Sequence, residues 1–373
     1  MSERYLGESI PKLGFGYMRL PRNADGESFD LPQICNMVDT YLENGFTYFD
    51  TAFVYQGSEE ALRETLIKRH PREKYQIASK LNLMFAKDRK GMEEQFETTM
   101  SRLDTPYLDF YLLHGLGGPS IKMAEDIGGW EYMQELKDAG KIKHICLSFH
   151  GTPEELDELL TKHPEAEFVQ LQINYLDWES TPTQSRRLYE IARAHNTPVV
   201  IMEPLLGGSL ASDTVSWSDG FKNAAPNDSV ASWAFRFLAE LDGLVTILSG
   251  MSSYDQLVDN VKTFKSLKPL TDADRELITQ TAAAIKAIPG VPCTSCRYCV
   301  EQCPAKINIP GMMNLYTNYL MYNNATTLKH SYGFMTRDAG KAKDCVGCRL
   351  CESHCPQHIE IADIIEKLSP LVD

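Results

Sequence analysis

The chain has 373 residues, of which 43% are hydrophobic and 24% charged, with a formal net charge of -14. This length exceeds what one hydrophobic core usually serves, so we expect one large domain and one small one. The acidic charge argues against nucleic acid or an anionic membrane as the main partner. No apolar run approaches the roughly 18 residues of a membrane helix, and the stretch MSERYLGESIPKLGFGYMRL lacks the apolar core of a signal peptide. We therefore expect a cytoplasmic protein.

Up to about residue 265, short β-rich runs alternate with helical patterns. Most of the β-rich runs are almost continuously apolar, which is typical of strands buried on both faces of a parallel sheet. Eight such units over about 250 residues predict a (β/α)8 barrel, with an open, doubly wound sheet as the alternative. The predicted strands are 11–17, 47–52, 75–81, 107–114, 142–149, 167–174, 197–204 and 244–250.

Polar side chains occupy the ends of these predicted strands. In a barrel of this kind, reactive groups come from the C-terminal ends of the strands and from the loops that follow. Each residue alone has an ordinary explanation, such as a turn cap for an aspartate or a packed core for a histidine. Complementary acid–base groups on one rim instead indicate an active site. The residues concerned are Asp50, Tyr55, Lys80, His114, Ser148, Gln170 and Asn174.

Five segments resemble the aldo-keto reductase family over roughly residues 10 to 265. FDTAFVYQGSEEAL resembles its aspartate segment and catalytic tyrosine, IASKL its lysine strand, and YLDFYLLHGL its histidine strand. IPKLGFGYMRLP is similar to its opening strand and LVTILSGMSSYDQLVDNV to its last barrel unit. The resemblance implies a catalytic tetrad of Asp50, Tyr55, Lys80 and His114, with hydride supplied by a nicotinamide cofactor.

The chemistry of this tetrad follows from its residue types. Hydride reduction of a carbonyl builds negative charge on oxygen, and a proton donor must neutralise that charge. Tyrosine has an ordinary pKa near 10, and we expect the Lys80 ammonium to lower the pKa of Tyr55. Asp50 would hold Lys80 in place, and His114 would hydrogen-bond the carbonyl oxygen and orient the substrate.

The cofactor side departs from the family in three places. Phe149 and His150 follow Ser148 where the family shows a serine followed by an asparagine, and Met202 replaces an aromatic residue that stacks on the nicotinamide. In the family, a lysine and an arginine bind the 2′-phosphate of NADP, and Gly250 and Gln256 stand at their positions. NAD is therefore slightly favoured over NADP. The candidate cofactor contacts are Ser148, Gln170, Asn174, Met202, Gly250, Gln256, Asp259 and Asn260, of which the last two still match the adenosine end.

A flavin remains an alternative cofactor. The sequence contains no GxGxxG fingerprint, but barrels of this type bind FMN without a short motif.

A capped helix over 271–287 and the break IPGVPC place a domain boundary between residues 270 and 292. We therefore predict a barrel over 1–270, a linker helix over 271–292 and a second domain over 293–373. That domain contains two cysteine runs, at 293–304 and 345–356. Between them the apolar spacing predicts mostly helix, as in the α-helical ferredoxin modules of larger redox enzymes. Outside the two runs, Cys35 and Cys146 lie alone in apolar surroundings, and we expect both to be buried.

Two runs, CTSCRYCVEQCP and CVGCRLCESHCP, share the spacing C-x2-C-x2-C-x3-C-P. This spacing is typical of [4Fe–4S] ferredoxins, in which the fourth cysteine of each run ligates the other cluster. Zinc sites use pairs of cysteines instead. The spacing predicts two clusters, one on Cys293, Cys296, Cys299 and Cys355, and the other on Cys345, Cys348, Cys351 and Cys303.

Together these features predict a member of the aldo-keto reductase subgroup that carries a C-terminal domain with two [4Fe–4S] clusters. We expect an oxidoreductase that acts on a small carbonyl or alcohol, with clusters that relay electrons to or from a redox protein partner. One alternative is an iron–sulfur electron-transfer protein whose barrel binds no nicotinamide and serves as a scaffold or a flavin site. In the other alternative, the clusters only stabilise the fold.

Overall fold

The computed structural model describes residues 9–26, 28–181 and 183–373 of the chain. Residues 1–8, at the start of the predicted first domain, lie outside the described residues. Eight strands in the described part of the chain form one closed, parallel barrel in chain order. They are β1 (Leu13–Gly16), β2 (Tyr48–Asp50), β3 (Gln76–Leu81), β4 (Leu108–Leu116), β5 (Ile142–Phe149), β6 (Val169–Gln172), β7 (Val199–Met202) and β8 (Leu244–Gly250).

The closed barrel confirms the predicted (β/α)8 fold. The open-sheet alternative is wrong, because β8 pairs in parallel with β1 as well as with β7. Only β4 runs past its predicted end, to Leu116, and its pairing with β5 shifts register between Leu113 and Leu116. Such irregularities re-aim side chains near active sites, and His114 lies within this one.

Helices connect the strands, as the alternating pattern predicted. A capping box of Thr152 and Glu155 lies at the start of the helix after β5. Within residues 9–271, apart from Glu27 and Pro182, the helices are α1 (Leu31–Glu43), α2 (Ser58–Leu62), α3 (Leu83–Ala86), α4 (Arg89–Leu103), α5 (Pro119–Asp126), α6 (Gly129–Asp138), α7 (Pro153–Lys162), α8 (Ser185–Ala194), α9 (Asp219–Ala224), α10 (Val230–Ala239) and α11 (Tyr254–Lys265).

One cluster of buried apolar side chains includes Tyr48 of β2, Phe110 of β4 and Val200 of β7, together with Phe168, which precedes β6. Cys146 belongs to the same cluster and is fully buried, as predicted. The prediction that Cys35 is buried is wrong, because this residue on the outer helix α1 remains partly exposed.

The described residues up to 204, together with residues 232–271, form one compact unit, and residues 205–231 and 272–373 form the other. The second unit contains α9 and five further helices: α12 (Asp272–Lys286), α13 (Ile309–Tyr322), α14 (Ala325–Met335), α15 (Leu350–Ser353) and α16 (Ile361–Val372). Residues 205–231, which follow β7, therefore pack with the cysteine-rich C-terminal part of the chain.

The second unit has its own apolar core, formed mainly by α13, α14 and α16. Cys299 and Cys351 are buried in this core, and Cys293, Cys303, Cys345 and Cys355 pack against it. The same core contains Met312, Met313, Leu328, Ile365 and Leu368. No helix in the described part of the chain has the length and apolarity that a membrane span requires.

Candidate active site and cysteine cavity

Lys80 and Asp50 form a buried ion pair at the C-terminal ends of β3 and β2. Lys80 Nζ lies 2.6 Å from Asp50 Oδ1 and donates a second hydrogen bond, of 2.7 Å, to the Thr51 carbonyl. Lys80 is fully buried and Asp50 is 3% exposed. A lysine at such depth is tolerated only when its charge is paired and its donors are satisfied, and both conditions hold here.

Tyr55 and His114 lie beside this pair. Lys80 Nζ is 5.0 Å from the centre of the Tyr55 ring, and the rings of Tyr55 and His114 meet edge to face, 6.1 Å apart. Tyr55 belongs to the loop between β2 and α2, whereas His114 lies in β4. The barrel therefore brings all four predicted tetrad residues together at one end.

The pKa shifts at this site reflect burial first and charge second. Burial raises the pKa of Tyr55, and Lys80 lowers it by less, so the tyrosine remains a protonated acid. Our expectation of a lowered Tyr55 pKa is therefore wrong, although Lys80 acts in the predicted direction. Burial would lower the pKa of Lys80, but Asp50 and Tyr55 together raise it, so the ammonium stays charged.

His114 is held neutral. Burial, assisted by the charges of Lys80 and His150, lowers the pKa of His114 to about 3. At neutral pH the ring therefore acts as a hydrogen-bonding group without a charge.

Three buried polar atoms at this end of the barrel have no hydrogen-bond partner in the described part of the protein. They are Asp50 Oδ2, His114 Nδ1 and Gln170 Oε1, from β2, β4 and β6. Buried polar atoms are rarely left unpaired, so unpaired atoms at a strand end indicate a place for a polar ligand.

A network of hydrogen bonds supports the loop that carries Tyr55. Arg102 of α4 donates hydrogen bonds to the Phe53 carbonyl, at 3.1 Å, and to Glu59 Oε2, at 3.2 Å. Glu59 also accepts a 2.8 Å hydrogen bond from Ser79, the residue before Lys80. The sequence analysis missed both Arg102 and Glu59, because the burial of Glu59 and its contacts with Ser79 and Arg102 appear only in the folded chain.

Among the candidate cofactor contacts, Ser148 and Gln170 are buried neighbours on paired strands. Ser148 Oγ accepts a 2.8 Å hydrogen bond from the Gly115 amide at the irregularity of β4. Gln170 places its Nε2 3.6 Å from Met202 Sδ and leaves its Oε1 unpaired. A carboxamide donor would find an acceptor at Gln170, so these residues fit the amide group of a nicotinamide.

The other candidate contacts are engaged by the protein or lie at the surface. Asn174 donates to Asp177 and to the Glu203 carbonyl, and it accepts from two backbone amides, so its amide group is fully used. Gln256 accepts from the Ser252 amide, and Asn260 donates to Ser249. The remaining candidates are Asp259, partly buried on α11, and Gly250, exposed at the end of β8.

An ion pair that the sequence did not reveal spans the ends of β1 and β7. Arg19 Nη2 lies 3.1 Å from Glu203 Oε1. The stem of Arg19 passes over Gly250, where an added Cβ would meet the Arg19 Cβ at 3.3 Å. Gly250 therefore leaves room for the side chain of Arg19.

In the second unit, four cysteines line one cavity. Cys293, Cys296 and Cys299 come from the first run, and Cys355 comes from the second. In the described part of the chain, no three histidine, cysteine or carboxylate side chains are placed to hold a single metal ion. A four-iron cluster presents a separate iron to each of four thiolates, so four cysteines around one cavity fit such a cluster.

The remaining four cysteines of the runs are also free thiols. Cys351 is buried in the core of the second unit, Cys303 and Cys345 are partly buried against it, and Cys348 is exposed. Each run thus has one exposed ligand candidate, Cys296 or Cys348, at the equivalent position of its loop.

Comparisons with known proteins agree with this architecture. Residues 12–283 match the model of the aldo/keto reductase family, and residues 292–360 match the model of the 4Fe-4S dicluster domain. The fused arrangement that the sequence indicated is therefore confirmed.

Individual relatives are distant. A probable aldo-keto reductase 1 of Glycine max is 32% identical over 181 residues, which are 46% of this chain and 50% of that protein. Glyoxal reductase of Bacillus subtilis is 25% identical over 72% of this chain and 88% of its own length. An aldo-keto reductase structure from Klebsiella pneumoniae in complex with NADPH superposes with a TM-score of 0.60 at 20% identity, covering 74% of this chain and 92% of that one. That likeness shows the fold.

Proposed function

This chain belongs to the aldo/keto reductase family, and from that premise we propose that its barrel transfers hydride between a nicotinamide cofactor and a small carbonyl or alcohol. The observation that carries the proposal is the buried Lys80–Asp50 pair beside Tyr55 and His114. A buried ion pair contributes little to stability on its own, so its place next to a tyrosine and a neutral histidine favours a catalytic role.

In this proposal each residue has one task. The Tyr55 hydroxyl donates its proton to the oxygen of the carbonyl, and the charge of Lys80 stabilises the phenolate that remains. Asp50 keeps Lys80 in position and compensates its charge in the buried site. His114, neutral because its pKa is about 3, donates a hydrogen bond to the same oxygen and orients the substrate.

A nicotinamide supplies the hydride when it is bound. Ser148 and the unpaired Gln170 Oε1 are the residues we assign to its carboxamide, with Met202 against the ring. We favour NAD over NADP because Gly250 and Gln256 carry no charge and because Glu203 already compensates the nearby Arg19. Asp259 and Asn260 would contact the adenosine end.

We assign the cysteines to two [4Fe–4S] clusters with exchanged fourth ligands. Cys293, Cys296, Cys299 and Cys355 would hold one, which agrees with the cavity that these four residues line. Cys345, Cys348, Cys351 and Cys303 would hold the other. Such clusters supply single-electron transfer, and the exposed positions of Cys296 and Cys348 favour exchange of electrons with a redox protein partner.

A second candidate function is electron transfer by a protein whose barrel binds no nicotinamide. Asn174 and Gln256, two candidate cofactor contacts, already form hydrogen bonds with protein groups. Arg19 on the same side is paired with Glu203. These contacts favour the second candidate, because they occupy groups that a nicotinamide cofactor would use. Anaerobic purification followed by visible spectroscopy and cofactor extraction separates the two functions. A bound flavin, or the absence of NADH and NADPH binding, would favour this second candidate.

The proposed reaction is tested by replacing Tyr55 with phenylalanine in the cluster-loaded protein and assaying reduction of glyoxal and other small aldehydes. We expect turnover to fall at least about 100-fold, because general acid catalysis contributes about 10² to 10⁴ in rate. Tyr189→Phe, which removes a hydroxyl bonded to the Asp242 carbonyl on the outside of the barrel, is the matched control. Unchanged turnover of Tyr55→Phe would rule out carbonyl chemistry at this tetrad.

A further inference from the structure

The connection after β7 is long and packs with the second unit. Strand-to-helix connections in α/β proteins usually have about 2 to 6 residues. Here β7 ends at Met202 and the next barrel helix, α10, begins at Val230. Residues 205–231 between them cluster with residues 272–373. We call this stretch the β7 segment.

Side-chain hydrogen bonds hold the β7 segment to α13, α14 and the turn between them. Thr327 Oγ1 donates to the Gly207 carbonyl at 2.8 Å, and Trp217 Nε1 donates to the Met321 carbonyl at 2.9 Å. Trp217 is 7% exposed, so its indole is packed as well as bonded. A third bond joins Asn323 Nδ2 to Thr214 Oγ1 at 3.3 Å.

The helices that hold the β7 segment belong to the core around the cluster cysteines. Met312 and Met313 of α13 and Leu328 of α14 share one apolar cluster with Cys299 and Cys351. The helices that bind the β7 segment are thus also part of the cysteine-rich core.

The start of the β7 segment continues directly from the candidate active site. Glu203, two residues before the segment, accepts a hydrogen bond from Asn174 on its carbonyl, and its carboxylate contributes to the raised pKa of Tyr55. Glu203 and Leu206 adopt φ angles of 54° and 47°. Residues other than glycine adopt this left-handed conformation only when the surrounding structure enforces it.

We propose that the β7 segment is a tether through which the iron–sulfur unit fixes the conformation of residues 203–208 and, with it, the ligand pocket of the barrel. Thr327 and Trp217 are then positioning residues for a site that they do not touch. The inference rests on the proposed function where it concerns nicotinamide binding, but the fixed conformation of residues 203–208 does not depend on any cofactor.

The test uses the cluster-loaded, full-length protein with Thr327→Val, which removes the donor to the Gly207 carbonyl at nearly constant volume. Trp217→Phe is a second variant, in case the first does not fold. Thr279→Val is the matched control, because the Thr279 hydroxyl donates to the Arg275 carbonyl of its own helix in the same unit. The readouts are hydrogen exchange of the amides of residues 203 and 205–208, fluorescence titration with NADH and NADPH, and the EPR spectrum of the clusters.

We expect Thr327→Val and Trp217→Phe to speed amide exchange at residues 203–208 about fivefold, since one lost hydrogen bond is worth on the order of a fivefold change in equilibrium. The nicotinamide Kd and the KM should rise by about the same factor while kcat and the EPR spectrum stay unchanged, as in the control. Unchanged exchange at residues 203–208 would overturn the inference. Absence of coenzyme binding in the wild type, with faster exchange in the variants, would instead overturn the proposed function and leave the tether supported.

Discussion

Lys80 Nζ and Asp50 Oδ1 lie 2.6 Å apart in a site where both side chains are almost completely excluded from water. Removal of one partner from such a pair leaves an uncompensated charge in the protein interior, whereas removal of both charges leaves polar or apolar groups of similar size. The pair can therefore be examined separately for its effect on folding and its effect on catalysis.

We predict that Asp50→Asn lowers the free energy of unfolding by about 3 to 5 kcal/mol, because it leaves the buried charge of Lys80 without a partner. The double variant Asp50→Asn, Lys80→Met should recover most of this loss and remain inactive in carbonyl reduction. Urea unfolding of anaerobically purified protein measures the first effect, and aldehyde reduction measures the second.

The control for this cycle is Lys122→Met, which breaks the exposed Lys122–Asp126 pair of α5. It should change the free energy of unfolding by less than about 1 kcal/mol. A double variant as unstable as Asp50→Asn would contradict the view that charge compensation is what the pair contributes to folding.

His114 gives the protein a predictable response to acid. Its folded pKa of about 3 lies below the ordinary value near 6.5, so the unfolded state binds the extra proton over this range and stability falls as pH falls through it. We predict that His114→Asn loses less stability than the wild type between pH 6.5 and pH 4, by about 2 to 3 kcal/mol. Urea unfolding at both pH values measures the difference, and equal losses in the two proteins would contradict a neutral, buried His114.

Much of the site was predictable because the ends of buried parallel strands can be located in the sequence. Buried parallel strands are almost continuously apolar, so their C-terminal ends can be read from the sequence, and in a barrel these ends all lie at one rim. Asp50, Lys80 and His114 follow from that rule. The cysteine runs were equally informative, since ligand spacing is fixed by the geometry of the cluster.

Other features depend on contacts between distant parts of the chain and have no local signal. The net direction of the Tyr55 pKa is set by how completely the folded protein removes water, which outweighs the charge of Lys80. The pairing of Arg19 with Glu203 joins residues from opposite ends of the barrel sequence. The packing of residues 205–231 with the second unit depends on partners, such as Thr327, that follow far along the chain.

The exchange of fourth ligands between the cysteine runs can be tested with pairs of substitutions. If Cys303 serves the cluster of the second run, Cys303→Ala combined with Cys348→Ala damages only that cluster and leaves one intact, with about four iron atoms per chain. Cys355→Ala combined with Cys348→Ala damages both clusters. Iron analysis and EPR of anaerobically purified variants distinguish the pairs, and Cys35→Ala, outside the runs, should retain both clusters. The opposite pattern would assign each fourth cysteine to its own run.

The preference for NADH or NADPH depends on which charged side chains face the adenosine end of the coenzyme. Arg19 is compensated by Glu203, and Gln256 on α11 is neutral, so we predict that NADH binds more tightly than NADPH in fluorescence titrations. Gln256→Arg should raise the affinity for NADPH about fivefold and leave that for NADH unchanged, because a guanidinium forms charge-assisted hydrogen bonds with a phosphate. Gln280→Arg, on the exposed face of α12, adds the same charge elsewhere and should change neither affinity. NADPH binding tenfold tighter than NADH in the wild type would show that another cation holds the 2′-phosphate, and Arg19→Ala would then identify or exclude Arg19 as that cation.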